Sequence, residues 1–129
     1  MFQTLIVEDN LRFRSSLSEL LTNRFPCMIV EEAGNGVEAM AKLTLLRPQL
    51  IFMDIKLPDG NGLDLTRRIR SGNRTIVVVV MTAHAIPEYW EAAFQAGADF
   101  FVSKAAASGA DIASLVDAAF PSACGQGEA

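Results

Sequence analysis

The segment at residues 75–81, with the sequence TIVVVVM, most constrains what this chain can fold into. Its β-branched and apolar side chains would cover both faces of a strand, which is typical of the centre of a parallel sheet with helices on each side. Shorter apolar runs at residues 4–7, 50–53 and 100–102, and a more charged run at 28–33, predict four further strands. We expect the charged strand at an edge of the sheet.

Helical patterns separate these strands. Phe13, Leu17, Leu20 and Leu21 recur with a helical period after the first strand. Further helices are predicted at about residues 37–46, 63–70, 87–96 and 111–120. Strands that alternate with helices five times predict an α/β fold with a parallel sheet covered on both faces. Residues 1–120 are expected to form one domain, and residues 121–129 a flexible tail or the start of a linker.

The composition disfavours several classes of function. A net charge of −4 argues against direct binding of nucleic acid. No apolar stretch approaches membrane-spanning length, and the first residues lack the basic region of a secretory signal, so we expect a cytoplasmic protein with no membrane partner. Cys27 and Cys124 fit no metal-binding spacing, and we predict two free thiols. Since His84 is the only histidine, a His-rich metal site is excluded.

Chemically matched side chains lie at the ends of four of the predicted strands. Glu8 and Asp9 follow the first strand, and Asp54 ends the third. Thr82 follows the fourth strand and Lys104 the fifth. Because a parallel sheet brings these ends to one edge, the side chains should converge where such sheets bind ligands. Each has a simpler explanation as a helix-terminal acid, an N-cap or a surface lysine, but the joint pattern favours a site.

The converging groups suit phosphoryl transfer. Three crowded carboxylates need a cation, and oxygen ligands close to a phosphate suit Mg²⁺. An aspartate can attack phosphorus to form an aspartyl phosphate. An ammonium group and a metal ion would neutralise the phosphoryl group, and a threonine hydroxyl can donate a hydrogen bond to it.

Several motifs resemble those of bacterial two-component response-regulator receiver domains, over about residues 2–120. The matching segments are VED at 7–9, MDIKLPDGNG at 53–62, VMTA at 80–83, AGA at 96–98 and FVSK at 101–104. The resemblance implies a doubly wound, flavodoxin-like three-layer sandwich whose five parallel strands have the order 2-1-3-4-5. It also implies that Asp54 is the phosphoacceptor.

The resemblance implies roles for the residues around Asp54. The ligands of Mg²⁺ (or Mn²⁺) would be Asp9, Asp54, the backbone carbonyl of Lys56 and, through water, Glu8. The phosphoryl-binding and switch residues would be Thr82, Ala83, Lys104 and Phe101. Lys56 and His84 lie two residues beyond Asp54 and Thr82, and we expect them to tune the phosphoryl lifetime. The output face would comprise the fourth helix, fifth strand and fifth helix, with Tyr89 and a partly exposed Trp90 on it.

Three departures from the family pattern affect the site. Glu8 replaces a commoner aspartate, which still permits a role through water. Ala105 stands where a proline is usual after Lys104, and a cis peptide is disfavoured there because its cost rises to about 2.5–4 kcal/mol. Phe101 lacks the hydroxyl of tyrosine, so a switch at this position would act by packing alone.

The implied function is a phosphorylation-controlled switch, not a conventional enzyme. A sensor histidine kinase or phosphotransfer protein would donate the phosphoryl group, and the domain would catalyse its own phosphorylation and slow dephosphorylation. An output domain or protein partner would respond, and a phosphorylation-dependent homodimer is compatible with the resemblance.

Three alternatives fit the residues less well. The acids at positions 8 and 9 would repel the phosphate of a flavodoxin-like cofactor. Lys56 occupies the position of the second aspartate of aspartyl-phosphate phosphatases. An inactive docking domain would not need Asp9, Asp54, Thr82 and Lys104 together.

Overall fold

The computed structural model describes residues 2–121 and residue 124. The strands in this part of the chain are β1 (Phe2–Val7), β2 (Met28–Ala33), β3 (Leu50–Asp54), β4 (Lys56–Leu57), β5 (Gly60–Asn61), β6 (Val77–Thr82) and β7 (Phe100–Ser103). The helices are α1 (Leu11–Arg24), α2 (Gly36–Leu46), α3 (Gly62–Gly72), α4 (Pro87–Gln95) and α5 (Gly109–Ala119). No helix in the described residues is long and apolar enough to cross a lipid bilayer.

Five strands form one parallel sheet in the order β2-β1-β3-β6-β7. Counted without the two short strands, this order is 2-1-3-4-5, so the predicted doubly wound, flavodoxin-like fold is confirmed. The charged strand β2 lies at an edge, as predicted. The strands β4 and β5 form a separate antiparallel ladder directly after Asp54, and this ladder was not predicted from the sequence.

The alternation of side chains along β6 explains why its sequence is apolar throughout. Val78 and Val80 pack into the core on one side of the sheet, together with residues of α2, α3 and α4. Val79 and Met81 pack into a second core on the other side, together with residues of α1 and α5. Both faces of this strand are therefore covered by helices, as its composition predicts.

Side-chain caps set the starts of several helices. Asn10, Asn35 and Asn61 precede α1, α2 and α3, and each accepts a hydrogen bond from a backbone N–H in the first turn. Ser108 and Asp111 form a capping box, so α5 begins two residues before the predicted position. These caps begin the helices close to the preceding strands and keep the intervening loops short at the carboxyl-end edge of the sheet.

A disulfide joins Cys27 to Cys124, so the prediction of two free thiols was wrong. The two Cα atoms lie 5.2 Å apart although the residues are 97 positions apart in sequence. The physical reason is the direction of α5, which returns the chain to the amino-end edge of the sheet, where Cys27 precedes β2. The predicted tail lies outside the described residues except for Pro121 and Cys124.

Candidate functional site

Asp54 ends β3 and is 5% exposed at the carboxyl-end edge of the sheet. The chain turns back immediately after it, since the Gly62 N–H donates to the Ile55 carbonyl at 2.7 Å. A Cβ atom at Gly62 would lie 1.9 Å from the carbonyl oxygen of Asp54, far inside any permissible contact. Gly62 therefore lets the loop pass close to the Asp54 backbone. No role was predicted for Gly62 from the sequence, although it lies within the matching segment at residues 53–62.

Glu8 follows β1 and is fully buried. Its backbone N–H donates to the Ala33 carbonyl at 2.9 Å, and its carboxylate Oε2 accepts from the Asn10 N–H at 3.0 Å. Burial raises the pKa of Glu8, and hydrogen bonds from Lys104 and Asn10 offset part of that rise. The side chain is thus held in one place by its surroundings.

Arg14 supports the loop that carries Glu8. Its Nη1 donates to the Glu8 carbonyl at 2.9 Å, and its Nε donates to Glu32 Oε1 on β2 at 2.8 Å. One guanidinium group therefore links α1, the end of β1 and the edge strand. No role was predicted for Arg14 from the sequence, because Arg14 stands outside the apolar face of α1 and no local pattern signals a contact with a backbone carbonyl.

Asp9 differs from its neighbour because its side chain is exposed and makes no hydrogen bond or ion pair within the described residues. Carboxylate oxygens of Glu8, Asp9 and Asp54 nevertheless lie within 4.8 Å of one another. Because the Asp9 carboxylate has no partner among the described residues, these oxygens are a donor set that fits Mg²⁺. This ion typically binds one or two protein carboxylates together with water.

Lys104 reaches this acidic cluster from the end of β7. Its Nζ lies 2.5 Å from Glu8 Oε1 and 3.2 Å from Asp54 Oδ2. It also lies 5.0 Å from the ring centre of Phe13. Burial disfavours the charged ammonium, but the pairing with Glu8 and Asp54 outweighs it and raises the pKa of Lys104. Lys104 therefore stays protonated at neutral pH.

Thr82 is buried at the end of β6, beside the point where Lys104 follows β7. Its carbonyl accepts from the Lys104 N–H at 2.8 Å. Its hydroxyl accepts from the His84 N–H at 3.0 Å and donates to the His84 carbonyl at 3.1 Å. The hydroxyl is thus engaged with the backbone of the following turn. The described residues contain no cis peptide, so the bond between Lys104 and Ala105 is trans.

Lys56 is exposed on the short strand β4, and Ala83 and His84 are exposed on the loop that follows β6. Phe101 on β7 is half-buried and packs against the core beneath α4. Tyr89 is half-buried, whereas Trp90 is 56% exposed, which confirms the prediction that Trp90 is at least partly exposed. Trp90 stacks edge-to-face with Phe94, their ring centres 5.1 Å apart.

Asp59 anchors the loop after Asp54 to the beginning of α2. Its two carboxylate oxygens accept from the backbone N–H groups of Gly36 and Val37, at 2.7 and 2.9 Å. These hydrogen bonds lower the pKa of Asp59. No role was predicted for this residue from the sequence. The helix that Asp59 caps lies elsewhere in the sequence, so no local pattern around Asp59 signals this contact.

Comparisons with known proteins converge on one family. The family model described as the response regulator receiver domain matches residues 4–117. The DNA-binding transcriptional activator DevR/DosR of Mycobacterium tuberculosis is 34% identical over 104 residues, covering 81% of this chain and 48% of that protein. The chemotaxis protein CheY of Halobacterium salinarum is 33% identical over 102 residues, covering 79% of this chain and 83% of that protein.

Solved structures agree with these sequence relatives. A CheY-like response regulator receiver domain protein from Methanospirillum hungatei superposes with a TM-score of 0.85 at 25% identity, covering 95% of this chain and 96% of the other. The chain spans about half the length of the first curated relatives that it matches, DevR/DosR and the response regulator GacA of Pseudomonas viridiflava.

Proposed function

The chain belongs to the response regulator receiver domain family of two-component systems, and from that membership we propose that it is a signalling switch phosphorylated on Asp54. The position of Asp54 supports this proposal. Asp54 lies at the end of a buried strand, close to two other carboxylates and 3.2 Å from the ammonium group of Lys104. This arrangement presents a nucleophilic carboxylate beside positive charge.

In the proposed reaction, a carboxylate oxygen of Asp54 attacks the phosphorus of a phosphohistidine. The donor is a sensor histidine kinase or a phosphotransfer protein. An O–P bond forms on Asp54 while the P–N bond breaks, and the histidine nitrogen keeps the electron pair of that bond. Lys104, now paired with Glu8 and Asp54, can turn its Nζ toward the incoming phosphoryl oxygens because it already lies beside the nucleophile.

The acidic cluster fits a divalent cation. Asp9 and Asp54 would hold Mg²⁺ (or Mn²⁺) together with the backbone carbonyl of Lys56, and Glu8 would act through water. When bound, the ion supplies positive charge that offsets the charge of the phosphoryl group. Asp9 is suited to this role because it has no competing partner among the described residues, whereas Glu8 is held by Lys104 and Asn10.

The switch itself would begin at Thr82. Its hydroxyl would leave the His84 turn and donate to the phosphoryl group, and the N–H of Ala83 would bind the same group. Phe101 would then turn inward by packing alone. The output face, defined as α4, β7 and α5 with Tyr89 and Trp90 on it, would change its affinity for an output domain, a protein partner or a second copy. The chain would do this in the cytoplasm, with slow self-catalysed loss of the phosphoryl group.

The test is phosphorylation with acetyl phosphate and Mg²⁺, followed by intact-protein mass spectrometry. Wild type should gain one phosphoryl group, and Asp54→Asn should gain none. Asp64→Asn is the matched control because Asp64 is an exposed acid on α3, and this variant should be modified like wild type. Equal modification of Asp54→Asn and wild type would overturn the assignment.

Lys56 and His84 are proposed to set the lifetime of the phosphoryl group because both are exposed beside the site. Lys56→Ala and His84→Ala should each change the rate of dephosphorylation while leaving the site of modification at Asp54. The measurement is loss of the adduct with time after removal of acetyl phosphate. Rates equal to wild type in both variants would remove these residues from the proposal.

A further inference from the structure

We propose that the Cys27–Cys124 pair is a thiol–disulfide exchange site, at which a dithiol reductant releases residue 124 from the residue that precedes β2. The pair bridges the residue before β2 and a residue beyond the end of α5. The inference rests on the proposed cytoplasmic location, since disulfides in that compartment are usually transient and regulatory. It does not depend on phosphorylation of Asp54.

The disulfide is accessible from solvent. Cys27 is exposed and Cys124 is half-buried, so an attacking thiolate can approach Cys27 without opening either core. The pair also lies at the amino-end edge of the sheet, on the opposite side from Asp54. A reductant could therefore act there without touching the acidic cluster.

Noncovalent contacts hold α5 in place in addition to this bridge. Ile112 and Val116 of α5 are buried in the core beneath α1 and α5. The ring of Phe120 packs edge-to-face on Phe2 at 4.7 Å, and Asp117 pairs with Arg24 at 2.7 Å. A domain of this size with two apolar cores does not need a covalent staple, which smaller secreted domains do need. Helix α5 should stay docked when the bridge opens.

The exchange is a two-electron reaction with a dithiol. One thiolate of the reductant attacks Cys27 Sγ, the bond to Cys124 Sγ breaks, and Cys124 leaves as a thiolate that takes a proton. The second thiol of the reductant then attacks the mixed disulfide and releases Cys27, which is protonated in turn. The reductant ends as a disulfide, and the protein ends with two thiols.

The consequence falls on the end of α5, which belongs to the proposed output face. In the oxidised protein, residue 124 is tied to the start of β2, and this tie limits how far the last turn of α5 can open. In the reduced protein, the burial of Val116, the packing of Phe120 and the exposed pair of Arg24 and Asp117 still hold that turn, but without a covalent tie. The bridge would thus couple the redox state to the mobility of one part of the output face.

The test compares the oxidised and reduced wild-type protein by hydrogen exchange. Glutathione disulfide should close the bridge, and dithiothreitol should open it in the folded protein, as shown by thiol alkylation and mass spectrometry. Backbone amides of residues 115–120 should then exchange faster by about tenfold or more, while the amides of β3 and β6 keep their protection. The double variant with Cys27→Ser and Cys124→Ser should exchange like the reduced protein and should not respond to dithiothreitol.

Three results would overturn the inference. The bridge could fail to form with glutathione disulfide, or it could resist dithiothreitol until the protein unfolds. Exchange at residues 115–120 could also be the same in both redox states. None of these results bears on the phosphoacceptor, because the modification of Asp54 by acetyl phosphate is measured separately.

Discussion

Different kinds of interaction are found at the two edges of the sheet. At the carboxyl-end edge, the carboxylates of Glu8, Asp9 and Asp54 lie close together, the ammonium group of Lys104 pairs with Glu8 and Asp54, and burial raises the pKa of Glu8. At the amino-end edge, a disulfide joins Cys27 to Cys124, and an aromatic pair and an ion pair link α5 to β1 and α1. Contacts at the first edge concentrate charge around a reactive group, whereas contacts at the second fasten the ends of the chain.

This difference indicates where the domain tolerates unfavourable interactions. Charges of one sign collected at the carboxyl-end edge lower stability until a cation or a phosphoryl group alters the balance. Crosslinks and apolar contacts at the other edge offset that loss without entering the site. Substitutions at the amino-end edge should therefore alter stability alone, and substitutions at the carboxyl-end edge should alter both stability and binding.

Opening the disulfide should have the largest effect on stability. Because residues 27 and 124 are 97 positions apart, chain entropy predicts that the oxidised protein is more stable by about 4.7 kcal/mol. Urea unfolding of oxidised and reduced wild type measures the difference, and Mg²⁺ affinity should be the same for both. Equal unfolding midpoints would show that the amino-end edge does not depend on the bridge for stability.

Gly62→Ala should come next, because the new Cβ would collide with the Asp54 carbonyl oxygen. We expect a loss of about 3 kcal/mol in the free energy of unfolding, at the upper end for an overpacked site. Phosphorylation by acetyl phosphate should also slow, since the backbone of the nucleophile must shift. Gly60→Ala is the control: its Cβ would meet no atom within 4 Å, and both properties should stay near wild type.

Two arginines on α1 allow a direct test of the contrast between the edges. Arg14→Gln should cost about 2 kcal/mol, because Arg14 bonds both the Glu8 carbonyl and Glu32. It should also weaken Mg²⁺ binding by about tenfold, as the loss of a supporting residue typically does. Arg24→Gln removes an exposed pair with Asp117 and a contact of the guanidinium with the Phe25 ring, and it should cost less than about 1 kcal/mol. Calorimetric titration measures the Mg²⁺ affinity of the two variants. Equal affinities would contradict the contrast between the two edges.

Glu8→Gln should have the smallest effect, and in the opposite direction. Because the pKa of Glu8 is raised in the folded protein, Glu8 favours folding below the ordinary carboxyl pKa, and this contribution is lost as the pH rises through the raised value. Glu8→Gln should therefore be slightly more stable than wild type at neutral pH in EDTA, and the difference should shrink as the pH falls. A less stable variant at neutral pH would show that the pair of Glu8 with Lys104 outweighs the burial of charge.

The sequence predicted those features that follow from periodicity and topology. Residues 75–81 indicated a central strand because both faces of a buried strand are apolar, and the observed strand begins only at Val77 because Asn73 holds Thr75 in a turn. The grouping of Glu8, Asp54 and Lys104 followed from parallel strands that end at one edge. The predicted domain boundary at residue 120 stays a prediction.

The features that the sequence did not predict depend on long-range geometry. Pairing of Cys27 with Cys124 requires knowing where the chain returns after α5. The contacts of Arg14 with Glu8 and of Asp59 with Gly36 join segments that the sequence presents as unrelated. Each forms between a side chain and a backbone group, so no complementary pair of side chains marks it in advance.

The exposure of Trp90 has an optical consequence. It is the only tryptophan in the chain and is 56% exposed on α4, so the long-wavelength ultraviolet emission of the protein comes from a surface helix and not from either core. A molecule that covers α4 should shift this emission to the blue, whereas one that docks on the far side of the sheet should leave the spectrum unchanged. The native protein thus carries its own fluorophore for distinguishing the face on which a partner binds.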